Sequence, residues 1–379
     1  MLKEVAQVNP TGKRLPDQFI YIDLESVEKG ILRQRKQITK EIAPSRAQRS
    51  LVVGDVLFQT VRPYQQNNLF FNFVGEYIAS TGYAQIRSKE EPLFLYYYLH
   101  TAKFLNRVLA RCTGSNYPAI NSNDLENIRV SLPSFPEQKK IAEFLGAVDE
   151  WVQNLRAQKE SLEAYKKGIM QKLFSQEIRF KDENGKDFPA WEEKKLVQIA
   201  TFLKGKGIAK NDISEDGKSK CIRYGELYTD YGEIIKSVKS RTHVSRLASV
   251  ESEKGDVLIP SSGETALEIS TACCVQESGV LLGGDLNILR FKDKRSGEFF
   301  AYFLTHYINR DIAKLAQGNA VVHLYASSVK LLKVNIPLVP EQEKIAEFLT
   351  LLDNQIVSKQ QQITDVEIWK RGLMQCLFI

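Results

Sequence analysis

Residues 133–175 and 337–379 align without a gap at a shift of 204 positions, with 19 identities in 43. Unrelated segments of that length would share only about three. The element is therefore duplicated, and any fold for the chain must house two copies. Each copy reads as one long helix. Pro136 and Pro340 suit the first helical position, where a missing N–H costs nothing, and Glu137 and Glu341 follow near the positive end of the helix dipole. Behind them runs a seam that alternates steps of four and three: Ile141, Leu145, Val148, Val152, Leu155, Lys159, Leu162, Lys166, Ile169 and Leu173. Eight of these ten are apolar, as are eight of the matching ten in the second copy, which include Ile345, Leu349, Leu352, Ile356, Ile363 and Leu373. A heptad sustained that long is the pattern of a coiled coil. At about 1.5 Å per residue, 136–174 would make a rod on the order of 58 Å long. The polar interruptions are offset, Lys159 against Ile363 and Leu155 against Lys359, an arrangement suited to setting register. The plainer alternative is two amphipathic helices lying on separate cores.

A chain of 379 residues is long enough for two or three cores. A formal charge of +6 permits an acidic partner without requiring one. Five cysteines without CxxC spacing suggest no disulfide framework and a reducing cytoplasm. No signal peptide is read at the start, and no apolar run reaches the ~20 residues needed to span a bilayer.

The linear reading is globule, rod, globule, rod: 1–132, a first helix at 133–176, a polar linker at 177–187, a second globule at 188–336, and a second helix at 337–379. In the first globule, Phe19 to Ile22, Leu51 to Val53, Val56 to Phe58 and Tyr83 to Arg87 read as strands, and residues 92–109 as one helix. The mixture predicts an α+β fold. The second globule echoes the first in order. Gly54-Asp55-Val56-Leu57 matches Gly255-Asp256-Val257-Leu258, Ile20-Tyr21-Ile22 lies opposite Ile222-Arg223-Tyr224, Tyr97-Tyr98-Leu99 matches Tyr302-Phe303-Leu304, and Gly114 matches Gly318. The globules are far less alike than the helices, as expected of one architecture reading two different things.

No catalytic constellation stands out. The segment Leu203-Lys204-Gly205-Lys206-Gly207-Ile208 fits neither the dinucleotide nor the P-loop fingerprint and reads as a basic turn. Asn9-Pro10 is not followed by the residues of an amino-methyltransferase motif. The four histidines, His100, His243, His306 and His323, lack zinc-site spacing; the first and third read as packed on helices, the others as lying in polar stretches where they could touch a ligand.

The basic stretches say more. Between Lys29 and Arg62 there are eight Lys or Arg against two acids, and between Lys204 and Arg246 ten against six. Each globule thus has its own region suited to neutralising phosphates. The candidate contacts in the first are Arg33, Arg35, Lys36, Arg62, Tyr64, Gln65, Gln66 and Arg111, with Ser115, Asn116 and Tyr117 on the turn around Gly114. In the second they are Lys204, Lys206, Arg223, Tyr224, Arg241, His243, Ser261, Ser262 and Asn319. Arginine can pair with guanine, and Gln or Asn with adenine. The loops after the shared Gly-Asp-Val-Leu strand, and those at Gly114 and Gly318, are where different sequences could be read.

The doubled Pro-Glu-Gln-x-x-Ile-Ala-x-Phe-Leu, the later Lys-(Lys/Arg)-Gly-(Ile/Leu)-Met-Gln-x-Leu-Phe, and Phe188-Pro189-Ala190-Trp191 carry a resemblance. Over its full length the chain is similar to the specificity subunits of type I DNA restriction-modification systems. The resemblance implies two target recognition domains alternating with two helices that pair antiparallel as a coiled coil, each domain reading half of a split, asymmetric site on double-stranded DNA. It implies no catalysis by this chain and no cofactor or metal on it. Two modification subunits would dock on the helices and methylate adenine with S-adenosylmethionine, and restriction subunits would supply ATP- and Mg-dependent translocation and cleavage. The alternative is a coiled-coil adaptor whose globules bind proteins; a solitary methyltransferase ranks below it. The first half lacks the Phe-Pro-x-Trp lead, so its start is expected either to be short or to be completed by chain elsewhere. Gly168 and Gly372 cost about 1 kcal/mol each against Ala in a helix, which suggests close approach by the other helix or by a modification subunit.

Overall fold

The computed structural model describes residues 1–12, 14–318 and 321–378. The chain forms two compact units, residues 1–157 with 360–379 and residues 158–359. Each joins a globule to part of both long helices, so the compact units cut across the linear division into globule and rod.

In unit 1 the strand Asp55–Gln59 is buried along all five residues. It lies between Tyr83–Ser88 and Leu69–Phe70, with Ala6–Val8 beyond, all antiparallel. A second sheet orders Lys36–Thr39, Gln18–Ile22, Tyr77–Ser80 and Ala47–Ser50, with one parallel pair at its centre. Leu51 to Val53 form no strand. The Asp55 carboxylate accepts from Val52 N at 2.8 Å and bends the chain into a turn ahead of Gly54, which sits at φ 93°. The helix expected over 92–109 is two, Pro92–Leu99 and Ala102–Leu109. Thr101 breaks them because its hydroxyl caps the second, accepting from Phe104 N at 3.2 Å.

Unit 2 repeats this plan. Val257–Pro260 is the buried strand, between Leu286–Phe291 and Cys273–Val275, with Ala200–Lys204 and Ile234–Ile235 outside. The companion sheet again has a parallel central pair, Ser219–Ile222 with Leu281–Leu282. Only Ile222 of the expected Ile222-Arg223-Tyr224 match is on a strand, because Arg223 N donates to the Glu226 carboxylate and turns the chain into a short helix. Gly205 has a packing role: a Cβ there would stand 1.9 Å from Gly283 O. The buried Asp of each Gly-Asp-Val-Leu strand receives a two-pronged arginine, Arg87 on Asp55 and Arg290 on Asp256. The same joint closes both sheets.

The long helices span Phe135–Phe174 and Val339–Leu377. Each begins one residue before the proline, since the carbonyls of Ser134 and Leu338 already accept the first helical bonds. The glutamine of Pro-Glu-Gln explains the motif. Gln138 and Gln342 are buried, and each side-chain amide donates back to the carbonyl of Pro133 or Pro337 at 2.9 and 2.8 Å, locking the entry to the helix. Glu341 meets Arg179 at 2.6 Å, while Glu137 is exposed.

Within unit 1 the helices pair antiparallel. Val148, Val152 and Leu155 cluster with Ile363 and Val366, Asp149 bonds Lys370, and Arg156 bonds Glu367. Within unit 2, Met170 and Leu173 share a core with Ile345 and Leu349, again antiparallel, and Lys166 bonds Asp353. Ile141 and Leu145 pack into the globule of unit 1, whereas Leu162, Ile169, Ile356 and Leu373 are only partly buried. The terminal Phe of each repeat packs into its unit: the Phe378 ring lies 5.2 Å from Phe94, tilted, and the Phe174 ring meets Phe303 edge-on at 5.4 Å. Phe180 is not spare linker, since it joins the core of unit 2 against Phe348 at 5.8 Å. A Cβ on Gly168 or Gly372 would meet nothing within 4 Å, so the other helix does not account for either glycine.

Candidate nucleic-acid interface

In unit 1 the buried strand ends in a strained turn. Arg62 (φ 54°) and Gln66 (φ 51°) are left-handed on either side of the one-turn helix Pro63–Gln65. A residue before proline normally adopts an extended conformation, so holding Arg62 there costs about 1–3 kcal/mol. The neighbouring loop over-determines it. Arg62 N donates to Pro118 O at 2.7 Å, Val61 bridges Ala119, and Ile120 N donates to Thr60 O at 3.1 Å. That loop turns at Gly114, at φ 91°. The Arg62 guanidinium lies 4.1 Å over the Tyr117 ring, a cation–π contact on a ring 64% exposed.

Of the residues expected to touch DNA, Arg62, Tyr64 and Gln65 therefore share one loop pair with Arg111, Ser115, Asn116 and Tyr117. Gln66 faces inward, its amide donating to His100 O at 3.2 Å. Arg33, Arg35 and Lys36 are exposed but lie away from this loop pair: Lys36 opens a strand of the other sheet, and in the loop ahead of it Arg33 pairs with Glu28 and Arg35 stacks 4.8 Å over Phe73.

Unit 2 builds the same loop pair with different tips. Leu324 N donates to Ser261 O at 3.0 Å, Ser262–Gly263 pairs with Val322–His323, and Gln317 bridges His323. Gly318 turns the loop at φ 114°, where a Cβ would stand 2.2 Å from Val321 O. Here Ser262 Oγ meets His323 Nδ1 at 3.1 Å, and the His323 ring lies 6.3 Å from Tyr325. A cavity of about 320 Å³ opens there, lined by Lys204, Ser261, Ser262, Asp285, His323 and Tyr325 among others.

Asn319 lies outside the described residues. Lys206 is exposed on the basic turn. Arg223 pairs with Glu226 at 3.3 Å, Tyr224 packs on a core cluster, Arg241 donates to Gly217 O, and His243 pairs with Asp216 at 3.2 Å. These four do not line the cavity. Tyr325 was not among the expected contacts, and His323 was expected only as a histidine able to touch a ligand. The signal for them was the shift of 204, which places His323 opposite Ala119, beside the Gly114 turn.

A second duplicated feature escaped the sequence reading. The Tyr97 hydroxyl donates to Asp149 at 2.7 Å, and Lys370 reaches the same carboxylate at 2.5 Å while lying 4.9 Å over the Tyr97 ring. Tyr302, Asp353 and Lys166 repeat this in unit 2 at 2.6, 2.6 and 5.1 Å. Burial, then the adjacent aspartate, raises both tyrosine hydroxyls above their ordinary range. Unit 2 adds Glu233, 3.3 Å from Lys166 and bonded to His306. Burial would raise the Glu233 pKa, but His306 and Lys166 prevail and hold it at about 2. The clue was that Asp149/Asp353 and Lys166/Lys370 are polar identities between the repeats. In each unit the cluster pins globule to helices and one helix to the other.

Among the described residues, no group of three or more His, Cys, Asp or Glu could hold a metal, and no helix is long and apolar enough to cross a membrane. The chain is similar to the type I restriction enzyme MjaVIII specificity subunit of Methanocaldococcus jannaschii, 25% identical over 300 residues, which is 76% of this chain and 69% of that one. Its fold is similar to that of the type I restriction-modification S subunit from M. genitalium (TM-score 0.62, 17% identity, 100% of this chain and 95% of that one). It is also similar to a chain solved in a study of assembly of the type I system (TM-score 0.60, 22% identity, 100% and 96%). The family model for the type I restriction modification DNA specificity domain matches twice, at residues 3–164 and 190–367, and with both halves so covered the chain belongs to that family.

Proposed function

We propose that this chain is the DNA-reading specificity subunit of a type I restriction-modification complex. Each unit reads one half of a bipartite, asymmetric target on double-stranded DNA. The observation that carries this reading is the loop pair: the same hydrogen-bonded frame in both units presents Arg62 and Tyr117 in one and Ser262 and His323 in the other. A shared frame with divergent tips suits two readers of different sequences. The chemistry belongs to partners. Two modification subunits supply methyl transfer from S-adenosylmethionine, and restriction subunits supply the ATP- and Mg-dependent steps. The outward positions at Gly168 and Gly372 leave room for a modification subunit.

The paired helices set the distance between half-sites. B-DNA turns once per ~34 Å, so a stiff spacer selects a gap. Inserting about one helical turn between Leu155 and Leu162 lengthens the preferred gap while both half-sites stay the same. Selection from randomised duplexes by the complex with its modification subunits measures this. An unchanged gap with both halves still read defeats the spacer role.

A further inference from the structure

We infer that Arg62 reads a guanine in the half-site of unit 1, and that Tyr117 is the positioning residue that aims it; the inference rests on the DNA-reading function proposed above. Several arginines elsewhere in the chain are committed to carboxylates: Arg87 to Asp55, Arg290 to Asp256, Arg295 to Asp293 and Arg246 to Glu251. Among the described residues, no carboxylate lies within ion-pair reach of Arg62, and its buried Nε has no hydrogen-bond partner. The guanidinium is held by the face of an aromatic ring at 4.1 Å. Stacking occupies the flat face of the fork and leaves its in-plane N–H edge unused. Guanine presents two acceptors side by side in the major groove, N7 and O6, at the spacing that edge fits.

The backbone argues the same way. A left-handed residue directly before a proline is disfavoured, and it persists here only because Arg62 N is tied to Pro118 O and Val61 is bridged to Ala119. Both ties run to the loop that carries Tyr117, so ring and guanidinium are positioned by one device. Lysine could neutralise a phosphate from this position, but it lacks the planar fork and cannot pair with both acceptors.

The test is selection from a randomised duplex library by the full chain with its modification subunits, followed by titration of the winning duplex and of one carrying 7-deazaguanine. The wild type is expected to demand a guanine in one half-site and to lose roughly tenfold to a hundredfold in affinity when that guanine loses N7. In Arg62→Ala, and also in Arg62→Lys, the preference for that base disappears, the 7-deaza penalty vanishes, and the other half-site is unchanged. Tyr117→Phe keeps the preference and Tyr117→Leu weakens it, which a merely structural tyrosine would not do. If Arg62→Lys retains full guanine preference, or if Arg62→Ala weakens all sequences equally while lowering the salt slope by about one, Arg62 is a phosphate contact and the inference is overturned. If the wild type enriches no sequence, the proposed function itself fails and takes this inference with it.

Discussion

At the turn after the Gly-Asp-Val-Leu strand, the two units share the backbone ties between the paired loops and none of the tip chemistry. Unit 1 offers a cation stacked on a phenol; unit 2 offers a hydroxyl–imidazole pair over a cavity. Where globule meets helix the relation is reversed. There Tyr, Asp and Lys recur with nearly the same distances. The difference shows which parts of a duplicated fold are free to diverge. A partly buried ion pair at a packed junction strands one member when it loses the other, while an exposed loop tip on a fixed frame can change without unfolding anything.

The largest expected effect sharpens that contrast inside the conserved pin itself. Each aspartate keeps its tyrosine hydroxyl, but Lys166 answers two carboxylates, Asp353 and Glu233, whereas Lys370, among the described residues, answers Asp149 alone. Lys166→Ala should cost about 3–5 kcal/mol and Lys370→Ala about 1–3, read from denaturant unfolding of each variant. Equal costs would mean that Glu233 adds nothing to the pin.

A smaller effect isolates Glu233 by pH. Its folded pKa of about 2 lies below its ordinary 4.5, so its contribution, at most about 3 kcal/mol, is complete above pH ~4.5 and fades as pH falls toward 2. Melting of wild type and Glu233→Gln should therefore differ most at pH 5 and draw steadily together as pH falls to 2. A constant difference across that range would contradict the assignment.

Much of this was legible in the residues. The heptad from Ile141 to Leu173 and its copy specified two long helices, and the matched Gly114 and Gly318 located the second loop of each reader. What stayed hidden depended on contacts distant in sequence. Lys166 reads as a flaw in an apolar seam until Asp353 and Glu233 stand beside it. Thr101 reads as one more helical residue until its hydroxyl caps Phe104. Arg223 and Tyr224 carry reader chemistry, yet Glu226 draws one inward and a core cluster takes the other. Gln66 is turned away by His100. Residue type finds a basic region, but only packing decides which of its side chains remain available.

Two independent readers sharing one frame should leave a signature in the target itself. The direct measurement maps methylated adenines in a genome carrying this subunit with its modification partners, for the wild type and for Ser262→Ala with His323→Ala. The expected result is a motif of two short halves separated by a fixed unspecified gap, with the double substitution altering one half only. A contiguous motif, or a change in both halves from the loop of unit 2 alone, would contradict it.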